Sequence, residues 1–162
     1  MRSIVFAGGL AGAAATSQFP EFSQQYLQRL GSAVDALSEV VADFDASATA
    51  SDLTREEALA EMQGTAFLER RSADMTRSIT RYERLSSDLE TLQGQGPFMR
   101  AYNGTRFTDP EIASAAWDAF QPAVPVSFAG LTFAGAGFLS GSAILSLILG
   151  LLRLPFWRRQ VA

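Results

Sequence analysis

Residues 126–152 read VSFAGLTFAGAGFLSGSAILSLILGLL and carry no charged side chain. As a helix this stretch is about 40 Å long at ~1.5 Å per residue, longer than the ~30 Å hydrocarbon core of a bilayer. It is followed by aromatic and basic residues of the kind found at a cytoplasmic membrane interface: Phe156, Trp157, Arg158 and Arg159. The stretch therefore predicts a transmembrane helix, with residues 153–162 as a basic cytoplasmic tail.

A second uncharged stretch, residues 4–16, follows Arg2. Its short length and the alanines at 13–15 also fit a secretory signal peptide that is cleaved just after them. Two features favour a retained membrane helix over residues 1–19. No acidic residue occurs before Glu21, and the stretch contains glycines that suit close helix packing.

The charged residues are distributed very unevenly. All 13 basic residues are Arg, and all 17 acidic residues lie between Glu21 and Asp118. Because Arg residues stand at the outer end of each apolar stretch, the positive-inside rule places both termini in the cytoplasm. Residues 20–125 are then the periplasmic domain of a multi-pass protein of a bacterial inner membrane. Their acidic character argues against a nucleic-acid partner, which a basic surface would bind.

The composition also restricts the chemistry. The chain contains no Cys and no His, which excludes disulfides, thiolate or imidazole metal ligands and His-containing catalytic triads. A glycoside hydrolase would need a pair of carboxylates. The candidates Glu56, Glu57 and Glu61 are better explained as acids in the first turn of a helix, where the helix dipole favours them. We therefore expect a protein that is not an enzyme and has no catalytic residue, metal site or cofactor.

Small residues recur at four-residue intervals in both apolar stretches. Gly8 and Gly12 lie in the first, and Gly137 and Gly141 in the second. Residues four apart share one face of a helix, and glycines there allow two backbones to approach closely. These four glycines predict a packing interface, either between the two spans of one chain or between copies in a homo-oligomer.

Between the spans, the apolar residues follow helical spacing. One stripe comprises Leu27, Leu30, Val34, Leu37, Val41 and Phe44, and a second comprises Leu68, Met75, Ile79, Tyr82, Leu85, Leu89 and Leu92. Thr54 and Glu57 form a capping-box pattern that begins the second helix, and Gly64 weakens its centre. Because neither helix can bury its stripe alone, we predict an antiparallel hairpin joined near residues 46–53.

Shorter helices are predicted after the hairpin, at 97–102 and 109–120, the latter capped by Asp109. The Arg residues of the second long helix alternate with acids, which indicates a solvated face with Arg70–Asp74 and Arg84–Asp88 pairs. No period-two pattern occurs. The predicted fold is all-α, with two transmembrane helices, N-in and C-in, flanking the periplasmic hairpin and its shorter helices.

The segment QFPEF at 18–22, continued by QYLQRL at 25–30, resembles a signature of the proteobacterial inner-membrane family known as domain of unknown function 2937. The resemblance extends more loosely over the whole chain, with its Gly-rich N-terminus, helical middle and C-terminal span. It implies an inner-membrane location and a retained N-terminal helix, and it implies no activity.

The same segment provides candidate contacts with a partner protein or with lipid headgroups: Gln18, Pro20, Phe22, Gln25, Tyr26 and Arg29. The alternative is a helix start with interface anchors only. We expect a non-catalytic accessory or scaffolding subunit that docks to a larger membrane complex through its Gly/Ala helix faces and its periplasmic surface. A homo-oligomeric pore or transport component is the alternative. The expected partners are membrane lipids and an integral membrane protein or further copies of the chain.

Overall fold

A computed structural model describes residues 2–120 and 127–157, with side chains as far as Leu152. All regular structure in these residues is helical, as predicted, with seven α-helices and one short 3₁₀ helix. The chain forms two compact units, one from Met1–Gln24 with Phe120–Ala162 and the other from Gln25–Ala119. The predicted cytoplasmic tail, apart from the backbone of 153–157, and the link at 121–126 lie outside the described residues.

Helices α1, Arg2–Ser17, and α7, Phe128–Trp157, form the first unit together with the start of α2. Within the part of the chain that the structure describes, α7 alone is long and apolar enough to cross a membrane, over Phe128–Leu152 with a mean hydropathy of 1.9. Helix α1 has 16 residues, slightly fewer than the ~17–25 of a typical span.

Helix α2 spans Phe19–Ala50 and is separated from α1 by Gln18 alone. Pro20 lies in its first turn, where a missing backbone N–H costs no helical hydrogen bond. The helix ends in a Schellman motif, since Leu53 N–H donates to the Ala48 carbonyl and Asp52 adopts a φ of 57°. The predicted end of this helix near 46–51 is confirmed.

Helices α3, Arg55–Glu61, and α4, Ala66–Leu92, occupy the region predicted as one helix. The capping box of Thr54 and Glu57 is confirmed, because each side chain bonds the other residue's backbone N–H. The prediction of one continuous helix was wrong. Gly64 has a φ of +93°, and the Thr65 hydroxyl caps a new helix by accepting from Leu68 N–H, so this glycine interrupts the helix rather than weakening it.

Helix α5, Pro97–Tyr102, precedes the 3₁₀ turn Gly104–Arg106, and α6, Pro110–Asp118, follows with Asp109 as its cap. Both short helices are confirmed. The core of the second unit contains residues of both predicted stripes, Leu30, Val34, Val41, Ile79, Leu85 and Leu92, together with Tyr26 and Ala48 of α2 and Ile112 and Ala116 of α6. Apolar periodicity therefore identified the inner faces of α2 and α4.

Candidate functional site

Backbone contact between α1 and α7 dominates the first unit. A Cβ placed on Gly12 would lie 2.2 Å from the Gly137 carbonyl oxygen, and one on Gly141 would lie 2.5 Å from the Gly8 carbonyl oxygen. No side chain larger than hydrogen fits at these distances. Because numbers rise along α1 as they fall along α7, the two helices are antiparallel. The structure thus brings the four predicted glycines together within one chain.

Thr16 adds a polar link to this contact. Its hydroxyl lies 2.6 Å from the Phe133 carbonyl oxygen of α7 and 2.9 Å from the Gly12 carbonyl oxygen of its own helix. A Cβ on Gly137 would lie 2.0 Å from the Thr16 oxygen, so the glycine makes room for the hydroxyl. We did not predict this residue. The signal was present, since Thr16 continues the four-residue step of Gly8 and Gly12.

The outward faces of this pair are apolar. Phe6 packs edge-on against Phe138, with ring centroids 5.6 Å apart, and Phe19, at the start of α2, packs at a tilt against Phe133, with ring centroids 5.3 Å apart. Large apolar side chains cover the exposed surface of both helices: Ile4, Phe6, Leu10, Phe128, Leu131, Leu139, Ile144, Leu147, Ile148, Leu151 and Leu152. A surface of this composition suits lipid on its outer side.

A buried ion-pair cluster lies in the second unit. The Asp109 carboxylate, 3% exposed, accepts from Arg81 at 3.1 Å and from Arg84 at 3.2 Å. It also caps α6 by accepting from the backbone N–H groups of Glu111 and Ile112. Its role as a cap was predicted, whereas its two Arg partners were not, because they lie 25 and 28 residues earlier in the sequence.

Asp88 is a second buried carboxylate in this unit. It accepts from the Thr108 hydroxyl at 2.6 Å and from Arg106 at 3.4 Å. The predicted Arg84–Asp88 pair was therefore wrong, and so was Arg70–Asp74, since Asp74 instead pairs with Arg71 and Arg77.

The burial of Asp88 has a signal in the sequence. The residue lies three positions after Leu85 and four before Leu92, within the apolar stripe of α4. An acid at a position that faces the core must find partners inside the fold.

Tyr26 connects α2 to this region. It is fully buried, its ring lies 4.6 Å from that of Phe107, and its hydroxyl accepts from the Asp109 backbone N–H at 3.3 Å. Burial raises the pKa of the Tyr26 hydroxyl. The expected contact of Tyr26 with lipid or a partner protein is corrected, because the apolar ring is more stable in the core and the hydroxyl is already satisfied there.

The other residues of the motif fall into two groups. Gln18, Pro20 and Phe22 are partly buried in the first unit, around the α1–α2 junction. Gln25 and Arg29 lie in the second unit, where they line a cleft of about 460 Å³ between α2 and α6. We call this the α2–α6 cleft, and its other lining residues are Gln28, Ser32, Glu111, Ile112 and Ala115.

Arg29 is exposed in this cleft and forms no ion pair with any residue that the structure describes. Glu111, on the opposite wall, is already bound by Arg81 at 2.8 Å. The guanidinium of Arg29 and the side-chain amides of Gln25 and Gln28 are therefore available in the cleft to a hydrogen-bond acceptor of another molecule.

One further ion pair lies at the turn between α2 and α3. Arg55 binds Asp45 through two hydrogen bonds of 2.7 and 2.5 Å, and it approaches Glu83 at 3.8 Å. The Arg55 hydrogen bonds hold the pKa of Asp45 below its ordinary value, and the same contacts raise the pKa of Arg55. No group of His, Cys, Asp or Glu side chains suited to a metal ion occurs in the described parts of the chain.

A family model described as Protein of unknown function (DUF2937) matches residues 1–158. The chain belongs to this family. The resemblance carried by the 18–30 segment is thereby confirmed, and the match covers α1 to α7. No curated protein and no solved structure is significantly similar to the chain.

Proposed function

We propose that the chain is an accessory or scaffolding subunit of a bacterial inner-membrane complex. In this proposal α1 and α7 cross the bilayer as an antiparallel pair with both ends in the cytoplasm. The second unit lies in the periplasm, with α2 and α4 as an antiparallel hairpin. The protein carries out no catalysis and provides surfaces that hold other proteins of the complex.

The contact of the Gly12 and Gly137 backbones carries this proposal. In lipid there is no hydrophobic driving force between helices, so association depends on close packing and interhelical hydrogen bonds. The α1–α7 pair has both, since the Thr16 hydroxyl bonds the Phe133 carbonyl. When α1 packs against α7, only part of its surface is exposed to lipid. The Thr16 hydroxyl then has a hydrogen-bond partner within the pair.

The same observation weighs against a homo-oligomeric pore. The glycine faces that would join copies of the chain are occupied by contacts within one chain. Neither Ser3–Ser17 nor Phe128–Leu152 contains an ionisable side chain, and ion pathways through membranes normally contain one. A detergent-solubilised particle with the mass of many copies and no other protein would favour the pore instead.

The α2–α6 cleft is the docking surface that we favour for a protein partner. The glycine faces cannot serve, because α1 and α7 cover them. In the cleft, Arg29 has no acidic partner among residues 2–120 and 127–152, and a guanidinium binds carboxylate or carbonyl oxygens well. The proposed partner inserts such an oxygen beside Arg29 and Gln25.

Gentle extraction of the tagged full chain, followed by identification of the accompanying proteins, tests this function. We expect one membrane complex to co-purify with the native chain. Arg29→Gln should lower its recovery about tenfold, the effect of losing a charge-assisted hydrogen bond. Arg70→Gln is the matched control, since Arg70 is exposed on α4 and outside the cleft.

Recovery of the chain without any partner protein would contradict the accessory role. A reporter fused at Thr49, near the end of α2, tests the topology separately. We expect it on the periplasmic side, and a cytoplasmic position would overturn the proposed orientation.

A further inference from the structure

A groove of about 540 Å³ lies on the lipid-facing side of the α1–α7 pair, near the start of α1. Val5 and Phe6 of α1 and Phe138 and Leu149 of α7 form its apolar walls. Its volume falls within the ~300–1,000 Å³ of small-molecule sites. We call it the α1–α7 groove.

The polar groups of the groove lie mainly at one end. Gly8 packs against Gly141, and counting six residues back along α1 and six forward along α7 brings Arg2 level with about residue 147. Arg2 and Ser146 therefore lie together at one end, and Phe138 lies toward the other. Arg2 is exposed and makes no ion pair with any described residue.

The length of the groove matches one leaflet of a bilayer. Its lining residues on α7 run from Phe138 to Gly150, which is about 18 Å at ~1.5 Å per residue. Half of a ~30 Å hydrocarbon core is about 15 Å. An occupant with a charged group at Arg2 would therefore extend an apolar chain to about the bilayer midplane.

Two serines of α7 are among the residues that line the groove. Ser142 and Ser146 line the groove one helical turn apart, and neither forms a side-chain hydrogen bond within the described residues. Polar groups in lipid are stabilised when they find an acceptor. The ester oxygens of a glycerolipid are acceptors of this kind, placed between its phosphate and its acyl chains.

We infer that the α1–α7 groove binds one anionic phospholipid, with the phosphate on Arg2, the ester region beside Ser146 and one acyl chain that runs past Phe6 toward Phe138. The inference rests on the proposed membrane location of α1 and α7. It adds a lipid site on a part of the chain distinct from the α2–α6 cleft. Bound lipid would occupy the space beside α1 and extend the packed surface of the pair.

Native mass spectrometry of the detergent-solubilised full chain tests this site, with phosphatidylglycerol or phosphatidylcholine of identical acyl chains added. We expect one phosphatidylglycerol to be retained in preference to phosphatidylcholine. Arg2→Gln should reduce that retention about tenfold, whereas Arg70→Gln, with the same charge change, should leave it unchanged. Equal retention of both lipids by the native chain would overturn the anionic site.

A second pair of variants locates the lipid. Ser146→Leu fills the groove and should abolish retention of phosphatidylglycerol, while Ser140→Leu, on the same helix but outside the groove, should preserve it. Unchanged retention by Ser146→Leu would place the lipid elsewhere and overturn the inference. A chain that requires no detergent for solubility would instead overturn the proposed membrane location, so the two failures are distinguishable.

Discussion

The contacts that stabilise each unit of this protein internally differ between the two units. In the α1–α7 pair, backbone meets backbone at Gly12 and Gly137, and Thr16 supplies a hydroxyl link. In the unit of Gln25–Ala119, long side chains fill the core, and Arg residues reach buried carboxylates such as Asp109. The proposed membrane location of α1 and α7 accounts for this difference, because helices in lipid associate through close packing, whereas in water the burial of apolar surface supplies the driving force.

The largest effect is expected from a side chain at the backbone contact. Gly137→Leu places a Cβ about where the Thr16 oxygen and Gly12 carbonyl lie, so it should separate α1 from α7 at a cost above the ~1–3 kcal/mol of ordinary overpacking. Because the chain lacks Cys, spin labels on Cys introduced at Leu10 and Leu139 would report the interhelical distance. We expect a narrow distance distribution in the parent and a broad, longer one in the variant.

Gly135→Leu is the matched control for this change. Gly135 lies on the same helix with open space around its Cβ position, so the distance distribution should be unchanged. A narrow distribution for Gly137→Leu would show that the pair does not depend on backbone contact, and the contrast between the two units would then be lost.

The next effect concerns the second unit. Asp109→Ala removes the α6 cap and leaves Arg81 and Arg84 without their buried partner. We expect a loss of about 2–3 kcal/mol, seen as a fall of roughly 10–20 °C in the thermal midpoint by circular dichroism of the detergent-solubilised chain. Asp118→Asn, an exposed acid outside the ion pairs of the described residues, should change the midpoint little. Equal midpoints for the two variants would contradict the role of the buried cluster.

A smaller loss should follow removal of one hydroxyl. Tyr26→Phe leaves the buried backbone N–H of Asp109 without its acceptor, at a cost of about 1 kcal/mol. The thermal midpoint should fall by roughly 4–8 °C. Tyr82→Phe serves as the comparison, because the Tyr82 hydroxyl has no hydrogen bond to the described residues. A loss as large in Tyr82→Phe would argue against a specific role for Tyr26.

The smallest effect is expected at the partly exposed Asp45–Arg55 pair. The pKa of Asp45 is lowered in the folded state from its ordinary 3.8. The ion pair therefore stabilises the fold above pH 3.8, and this stabilisation is lost as the pH falls through the lowered pKa. The thermal midpoint of Asp45→Asn should therefore lie below that of the native chain at pH 7 and converge with it in acid. Asp43→Asn, which removes an exposed acid outside the ion pairs of the described residues, should leave the midpoint at pH 7 unchanged. A constant gap between Asp45→Asn and the native chain at all pH values would contradict the ion pair.

The features that the sequence predicts correctly have local causes. The capping box at Thr54 and the Asp109 cap follow from neighbours within three residues, and both are present. The inner faces of α2 and α4 follow from apolar spacing, which the burial of Leu30 and Leu85 reflects. Such patterns act over one or two helical turns and can be read without knowledge of the rest of the fold.

The predicted ion pairs that the structure overturns involve a choice between a local and a distant partner. Asp88 could have paired with Arg84 one turn away, but it faces the core, where Thr108 and Arg106 approach it. The sequence of α4 does not specify which distant side chains will arrive. Gly64 illustrates a second difficulty, because a glycine within a helical pattern is compatible both with a weakened helix and with the observed interruption.

The link between Thr16 and Phe133 has a consequence for biosynthesis. The two residues are 117 positions apart, so at ~5–20 residues per second α1 leaves the ribosome about 6–23 s before its partner helix exists. During that interval the glycine face of α1 has no α7 to cover it. Any protein that binds a nascent apolar helix would therefore find α1 available until α7 is synthesised.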